Sequence, residues 1–428
     1  MSSPVQADPL AKNIQSRRLL FRDLARPLRL FSNITPNWFG SIMGTGVVAN
    51  AAASLPLQIL GLRTAATVIW AVAAILLVLL LAATAMHWIR FPRVARTHHL
   101  NPVMAHFYGA PPMAILTVGA GTLLVGQAVI GLHAAVVVDT VLWSIGTALG
   151  LASAVAVPYL LFTRYEAADD SAFGGWLMPI VPPMVSAATG ALLIPYAPAG
   201  QARLNLLLGC YAMFGLSLIA SFVVIVQIWS RLARHSVGAA AAVPTLWIVL
   251  GPLGQAITAA NLLGANAHLA VNAELARALE LFGVIFGVPT LGFSLLWAAL
   301  ATAITARTAR RRLPFSLTWW SFIFAIGTNV TGMSALAPHT GSIAIAVLAD
   351  AAYVVLVAVW LIVASRTFHG SVIRGSLVLA QAAAANAVPT AQAPASAVPD
   401  GAMPVIAGSR EHCDRGGQQQ QSMTMPLG

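Results

Sequence analysis

Charge is what this sequence has least of. Only 8% of its 428 residues are Asp, Glu, Lys or Arg, whereas a soluble domain carries about 25%. So few charges cannot cover a water-facing surface of this size, which excludes a soluble enzyme, a nucleic-acid binder and a secreted scaffold. Cysteine is equally scarce. Cys210 lies inside an apolar stretch and Cys413 near the end, which gives no disulfide framework and no metal-ligand spacing. What abounds is apolar: 58% hydrophobic residues and a mean hydropathy of +0.81. The chain is expected to be an all-α polytopic membrane protein.

A span needs about 20 predominantly apolar residues. Windows of that size fall at 36–54, 64–86, 104–131, 136–163, 174–195, 204–230, 244–264, 278–306, 314–337 and 342–365. Ten spans put both termini on one side. Twenty of the 23 basic residues then share that side, leaving only Arg63, Arg203 and Arg277 opposite. Basic loops stay in the cytoplasm, so both termini are expected there, in a cell inner (plasma) membrane. The net charge of +11 is a topology signal rather than a nucleic-acid footprint. No cleavable signal peptide is expected at the Arg-rich start. The domains expected are a basic N-terminal segment (1–33), a ten-helix transport domain (34–366) and a disordered cytoplasmic tail (367–428) rich in Ala, Pro, Gln and Ser.

The odd-numbered spans repeat a pattern. Each opens on an aromatic residue: Trp38, Phe107, Trp176, Trp247 and Trp319, at spacings of 69, 69, 71 and 72 residues. The odd windows hold 26 Gly and Pro residues and the even ones nine. Proline frees a carbonyl, and a carbonyl freed at membrane depth needs a protein partner or a wet cavity. Five kinked inner helices are therefore expected to surround a central pore, ringed by five smooth outer helices, in five hairpins.

The odd windows contain no Asp, Glu, Lys or Arg. Neutral walls behind a basic mouth suit small anions, which the arginines would concentrate. No metal, cofactor or nucleotide motif is present. Candidate pore-lining residues are Ser41, Gly44, Thr45, Gly109, Pro112, Pro183, Pro252, Ser321 and Thr328, with His106 at the cytoplasmic mouth. Asp350, in the tenth span, reads as an interfacial or subunit-contact group. In the ninth span Phe324 shares a face with Ser321, Gly327, Thr328 and Thr331. There it either constricts the path or packs against a neighbour.

Three runs, Thr35-Pro-Asn-Trp-Phe-Gly-Ser-Ile-Met-Gly-Thr-Gly46, His106-Phe-Tyr-Gly-Ala-Pro-Pro-Met113 and Phe315-Ser-Leu-Thr-Trp-Trp-Ser-Phe-Ile-Phe324, resemble the tellurite-resistance/dicarboxylate transporter family. That family includes slow-type anion channels, sulfite efflux pumps and malate permeases. The resemblance covers 30 to about 366. It implies a non-enzymatic transporter of small anions, a homotrimer embedded in membrane lipid with one pore per subunit, and a phenylalanine gate, which Phe324 matches by its place after Trp319-Trp320. Family members often have Pro after this Phe, where this chain has Ala325. The alternative expectation is a proton-coupled carrier or efflux pump for C4-dicarboxylate or sulfite; a membrane-embedded enzyme would need converging acids or histidines.

Overall fold

The computed structural model describes residues 31–164 and 168–377. The basic segment before residue 31 and the expected tail from 378 onward lie outside the described residues. The described residues form helices joined by short turns: α1 (Phe39–Ser54), α2 (Leu62–Arg90), α3 (Pro92–Leu100), α4 (Ala110–Gly121), α5 (Gln127–Ile130) and α6 (Leu132–Arg164). They continue as α7 (Pro182–Leu193), α8 (Gln201–His235), α9 (Leu250–Asn266), α10 (Ala273–Ala309), α11 (Trp320–Thr340) and α12 (Ile343–Phe368). A π turn, His369–Arg374, extends the last helix past the expected domain edge at 366.

Eight helical segments among the described residues are long and apolar enough to cross a membrane. The windows at 36–54 and 174–195 give the shorter helices α1, of 16 residues, and α7, of 12. Both windows spend part of their length in 3-10 turns, which rise about 2.0 Å per residue against about 1.5 Å in an α-helix. Such a turn opens every odd window, and each carries its window's repeating aromatic: Pro36–Trp38, Met104–Gly109, Gly174–Leu177, Ala240–Val249 and Leu317–Trp319. The repeat of about 70 residues is therefore a repeat of turns as well as of aromatics.

Burial separates the helices into two classes. In the segments Met104–Ile130, Ala240–Leu269 and Leu317–Thr340, 72–78% of the apolar stretch is buried; in the other five long segments the share is 17–33%. The short helices belong with the first class, since α1 buries all but Ser41, Ala53 and Ser54, and α7 all but Leu192. Large apolar side chains stand exposed on the remaining helices, among them Val78, Phe162, Val226, Ile285 and Val354. A surface of that kind suits lipid rather than water. Packing runs from α1 to α4, α7, α9 and α11 in turn, and α11 returns to α1. The exposed helices α2, α6, α8, α10 and α12 pack respectively against those five.

Polar side chains of the exposed helices satisfy backbone groups of the buried ones. Trp70 on α2 donates to the Val118 carbonyl (3.3 Å) and the Thr122 hydroxyl (3.2 Å), where α4 passes into a π turn. Trp143 on α6 donates to Ser186 O, Trp297 on α10 to Leu246 O, and Ser217 on α8 to Ile180 O. Trp360 on α12 reaches the Thr45 hydroxyl of α1. With no water at membrane depth to replace them, such bonds give buried polar groups their partners, each contributing about 1–2 kcal/mol.

Candidate functional site: two cavities between the buried helices

Each buried helix turns one stripe of side chains inward. On α4 and its leading turn the stripe is Phe107, Ala110, Met113, Thr117, Ala120 and Leu124, spaced three or four residues apart. On α9 it is Ile248, Gly251, Gln255, Thr258 and Leu262. The early residues of all five stripes line one cavity and the late residues line another. The five helices therefore run in the same direction.

The first cavity is narrow, about 20 Å³, room for little more than one water molecule. Its walls include Met43, Phe107, Met113, Met178 and Phe324, with Ser321 and Asn37 among the few polar residues. The second is larger, about 280 Å³, and carries Asn50, Thr189, Gln255, Thr258, Thr331 and Ser334. Among the described residues, no Asp, Glu, Lys or Arg lines either cavity, and His339 is the one titratable residue on the second. Among the described residues no group of three or more His, Cys, Asp or Glu side chains could hold a metal.

Phe324 and Ser321 are the expected path residues that line a cavity. The others turn to neighbouring helices. Ser41 bonds back to Trp38 O, and Thr45 to Ser41 O. Gly44 makes room for the Trp320 ring, and a methyl at Gly109 would collide with the Met178 carbonyl. Pro112 packs at the Gly150 surface of α6, and neither Pro183 nor Pro252 lines either cavity. Thr328 is fully buried and donates to Ala325 O. His106, expected at the mouth, is buried: its Nδ1 pairs with Pro102 O at 2.7 Å and its ring stacks on Trp176. On α1 the inward stripe is Gly40, Met43, Val47, Asn50 and Ser54, one residue, or about 100° of helix, away from the expected one.

Sequence reasoning missed Gln255, Asn50 and Ser334, single polar residues in apolar runs that carry no motif. It also passed over Asp139, which is buried on α6 against Gly119, with neither carboxylate oxygen hydrogen-bonded among the described residues. Asp350 accepts from the Leu57 amide at 3.4 Å and so touches the turn after α1. At the N-terminal end of the buried helices, Arg366 lies over the Phe315 and Trp319 rings at 5.8 and 5.3 Å.

The model of the voltage-dependent anion channel (SLAC1) family matches residues 33–368. The chain belongs to that family. Among curated SLAC1-family relatives, the sulfite efflux pump SSU1 of Arthroderma otae is 28% identical over 348 residues, covering 79% of this chain and 91% of its own. An uncharacterised transporter of Methanocaldococcus jannaschii is 25% identical, covering 71% and 83%. A putative malic acid transport protein of Schizosaccharomyces pombe is 22% identical over 78% of each. The SLAC1 match ends where α12 ends and includes both cavities, so the shared part is the helical membrane body. Membership makes the chain a membrane transport protein for small anions, and the relatives are transporters rather than enzymes.

Proposed function

We propose that the chain conducts small anions along one path that joins the two cavities, with Phe324 as its gate. In this reading α1, α4, α7, α9 and α11 form an inner ring, each hairpinned to the outer helix that follows, ten helices in all. The observation that carries it is that five stripes, one from each buried helix, line both cavities. The first cavity, the narrower of the two, opens toward the cytoplasm, where the arginine-rich loops lie, and Phe324 on its wall closes it. Both termini are cytoplasmic, the membrane is the plasma membrane, and three copies assemble with one path each. The segment before residue 34 and the residues beyond the last helix are cytoplasmic appendages.

The relatives named for sulfite and malic acid direct attention to sulfite and C4-dicarboxylates as cargo. Neutral walls support passive conduction, since a coupled carrier keeps ionisable groups on its path. Purified protein in liposomes, assayed for entry of sulfite, malate, chloride and nitrate, tests this reading. Flux above protein-free liposomes is expected for at least one of them, and no flux of any would contradict it. His339 on the second cavity favours a second reading, a proton-coupled carrier. That reading requires accumulation of an anion against its gradient when a pH gradient is imposed.

A further inference from the structure

Away from both cavities, an open cleft of about 670 Å³ lies at the C-terminal end of α12. Phe315, Arg366, His369, Arg374 and Ser376 line it, and no Asp or Glu does so among the described residues. Arg366 stands over the Phe315 and Trp319 rings, which hold its guanidinium in place. Beyond that contact, neither Arg366 nor Arg374 has an ion-pair or side-chain hydrogen-bond partner among the described residues, where the one ion pair joins Arg277 to Glu280. A basic side chain near a helix C-terminus can serve by hydrogen-bonding the last carbonyls. These two make no such bond, so their N–H donors are left for another acceptor.

Depth narrows the choice of acceptor. The 26 residues of α12 rise about 39 Å at about 1.5 Å each, against a hydrocarbon core of about 30 Å. No charged residue stands between Asp350 and Arg366. Leu361 and Ile362, just before Arg366, and Phe368, just after it, are exposed. The cleft therefore lies where hydrocarbon gives way to headgroups. We infer that it binds the phosphate group of an anionic membrane lipid, with Arg366 and Arg374 as charged donors and His369 beside them. Guanidinium forks match phosphate oxygens in geometry as well as charge. A zwitterionic lipid carries the same phosphate but brings a cation that the arginines repel. Free phosphate lacks the acyl chains that lie against Leu361, Ile362 and Phe368 and keep a headgroup at this depth. Trp320 donates to the Thr367 hydroxyl at 3.1 Å, and Trp319 lies beneath Arg366, so a bound headgroup also steadies the junction of α11 and α12. The inference requires a lipid-embedded chain and does not depend on the anion path.

Native mass spectrometry of the full chain, stripped of lipid in detergent and then given phosphatidylglycerol or phosphatidylcholine, reads the binding without any transport. Wild type is expected to bind phosphatidylglycerol about 25-fold more tightly, about fivefold for each arginine. Arg366→Gln combined with Arg374→Gln should bring the two lipids within about twofold of each other, and should remove the rise in unfolding temperature that phosphatidylglycerol gives wild type. Arg93→Gln combined with Arg96→Gln takes the same charge from exposed positions on α3 and should keep the wild-type preference within about twofold. Equal binding of the two lipids by wild type would overturn the site. So would an unchanged preference in a cleft variant that elutes as wild type does, or an equal loss in the α3 variant. Inorganic phosphate, added against chloride at constant ionic strength, should leave the lipid bound. Displacement by millimolar phosphate would overturn the lipid and assign the cleft to a soluble phosphate.

Discussion

The Phe324 ring lies directly against Gly251 on the neighbouring buried helix: a methyl group at Gly251 would meet ring carbons at 3.5 and 3.6 Å, ordinary van der Waals contact. Gly251→Ala should therefore leave the ring where it is and change flux little. Gly251→Val adds branches where the ring stands and should lower flux by about tenfold, equivalent to ~1.4 kcal/mol on the barrier. Combined with Phe324→Ala, which vacates that volume, the valine should fit and flux should recover. A liposome flux assay on the single and double variants checks the sign of this coupling.

Trp70 holds the point where α4 enters its π turn. Trp70→Phe keeps the ring packing and removes the indole donor shared by the Val118 carbonyl and the Thr122 hydroxyl, leaving only the bond from the Thr122 hydroxyl to the Val118 carbonyl. It should cost about 1–2 kcal/mol of stability, read as a lower unfolding temperature in detergent at fixed pH. A variant as stable as wild type would show that the bond contributes nothing to holding the helix.

Gly119 is bare because Asp139 occupies the space above it. A methyl there would stand 2.6 Å from Asp139 Oδ1 and 3.1 Å from Leu142 Cβ, too close for either neighbour to stay. Gly119→Ala should destabilise by about 1–3 kcal/mol. Asp139→Ala, which removes an unpaired buried carboxyl, should be tolerated and should relieve the Gly119→Ala defect. Thermal unfolding of the four forms measures the coupling.

Acid should loosen one corner of the fold. His98 on α3, between two spans, bonds Asn33 at 3.1 Å and stacks on His87. Burial first, then the neighbouring His87 and His99, hold its pKa down at about 4 against the ordinary 6.5. The folded chain keeps His98 neutral, and the unfolded chain binds a proton below pH 6.5. Stability from this group is therefore complete above pH 6.5 and is lost as pH falls toward 4. The unfolding temperature should drop between pH 7 and pH 4.5, and His98→Gln should flatten that slope. An unchanged slope would remove His98 as its source.

The parts of the fold legible in the sequence were those that membrane chemistry imposes locally. The repeating aromatics fall in the five 3-10 turns that open the odd windows, and the uneven use of Gly and Pro follows the buried helices. Span length was misjudged at α1 and α7 because windowed hydropathy does not distinguish a 3-10 turn from a helix. The cavity face of α1 was misjudged for a different reason. Ser41 and Thr45 looked like path residues because they are polar, but a hydroxyl in a helix satisfies itself on the preceding turn. Gly44 shares the expected stripe with Ser41 and Thr45, and its small size admits the Trp320 ring instead of a path. On α11, Ser321, Phe324 and Thr331 were read onto one face, and they do line the cavities. Gln255 went unseen because its significance comes from the facing helices, which sequence order does not bring together.

The central claim is that anions cross between the buried helices and that Phe324 obstructs them. It is tested most directly by comparing anion entry into liposomes holding wild-type or Phe324→Ala protein at equal incorporation. Flux at least about tenfold higher is expected in the variant, as for removing ~1.4 kcal/mol of barrier. Equal flux, with both proteins folded and equally incorporated, would contradict it.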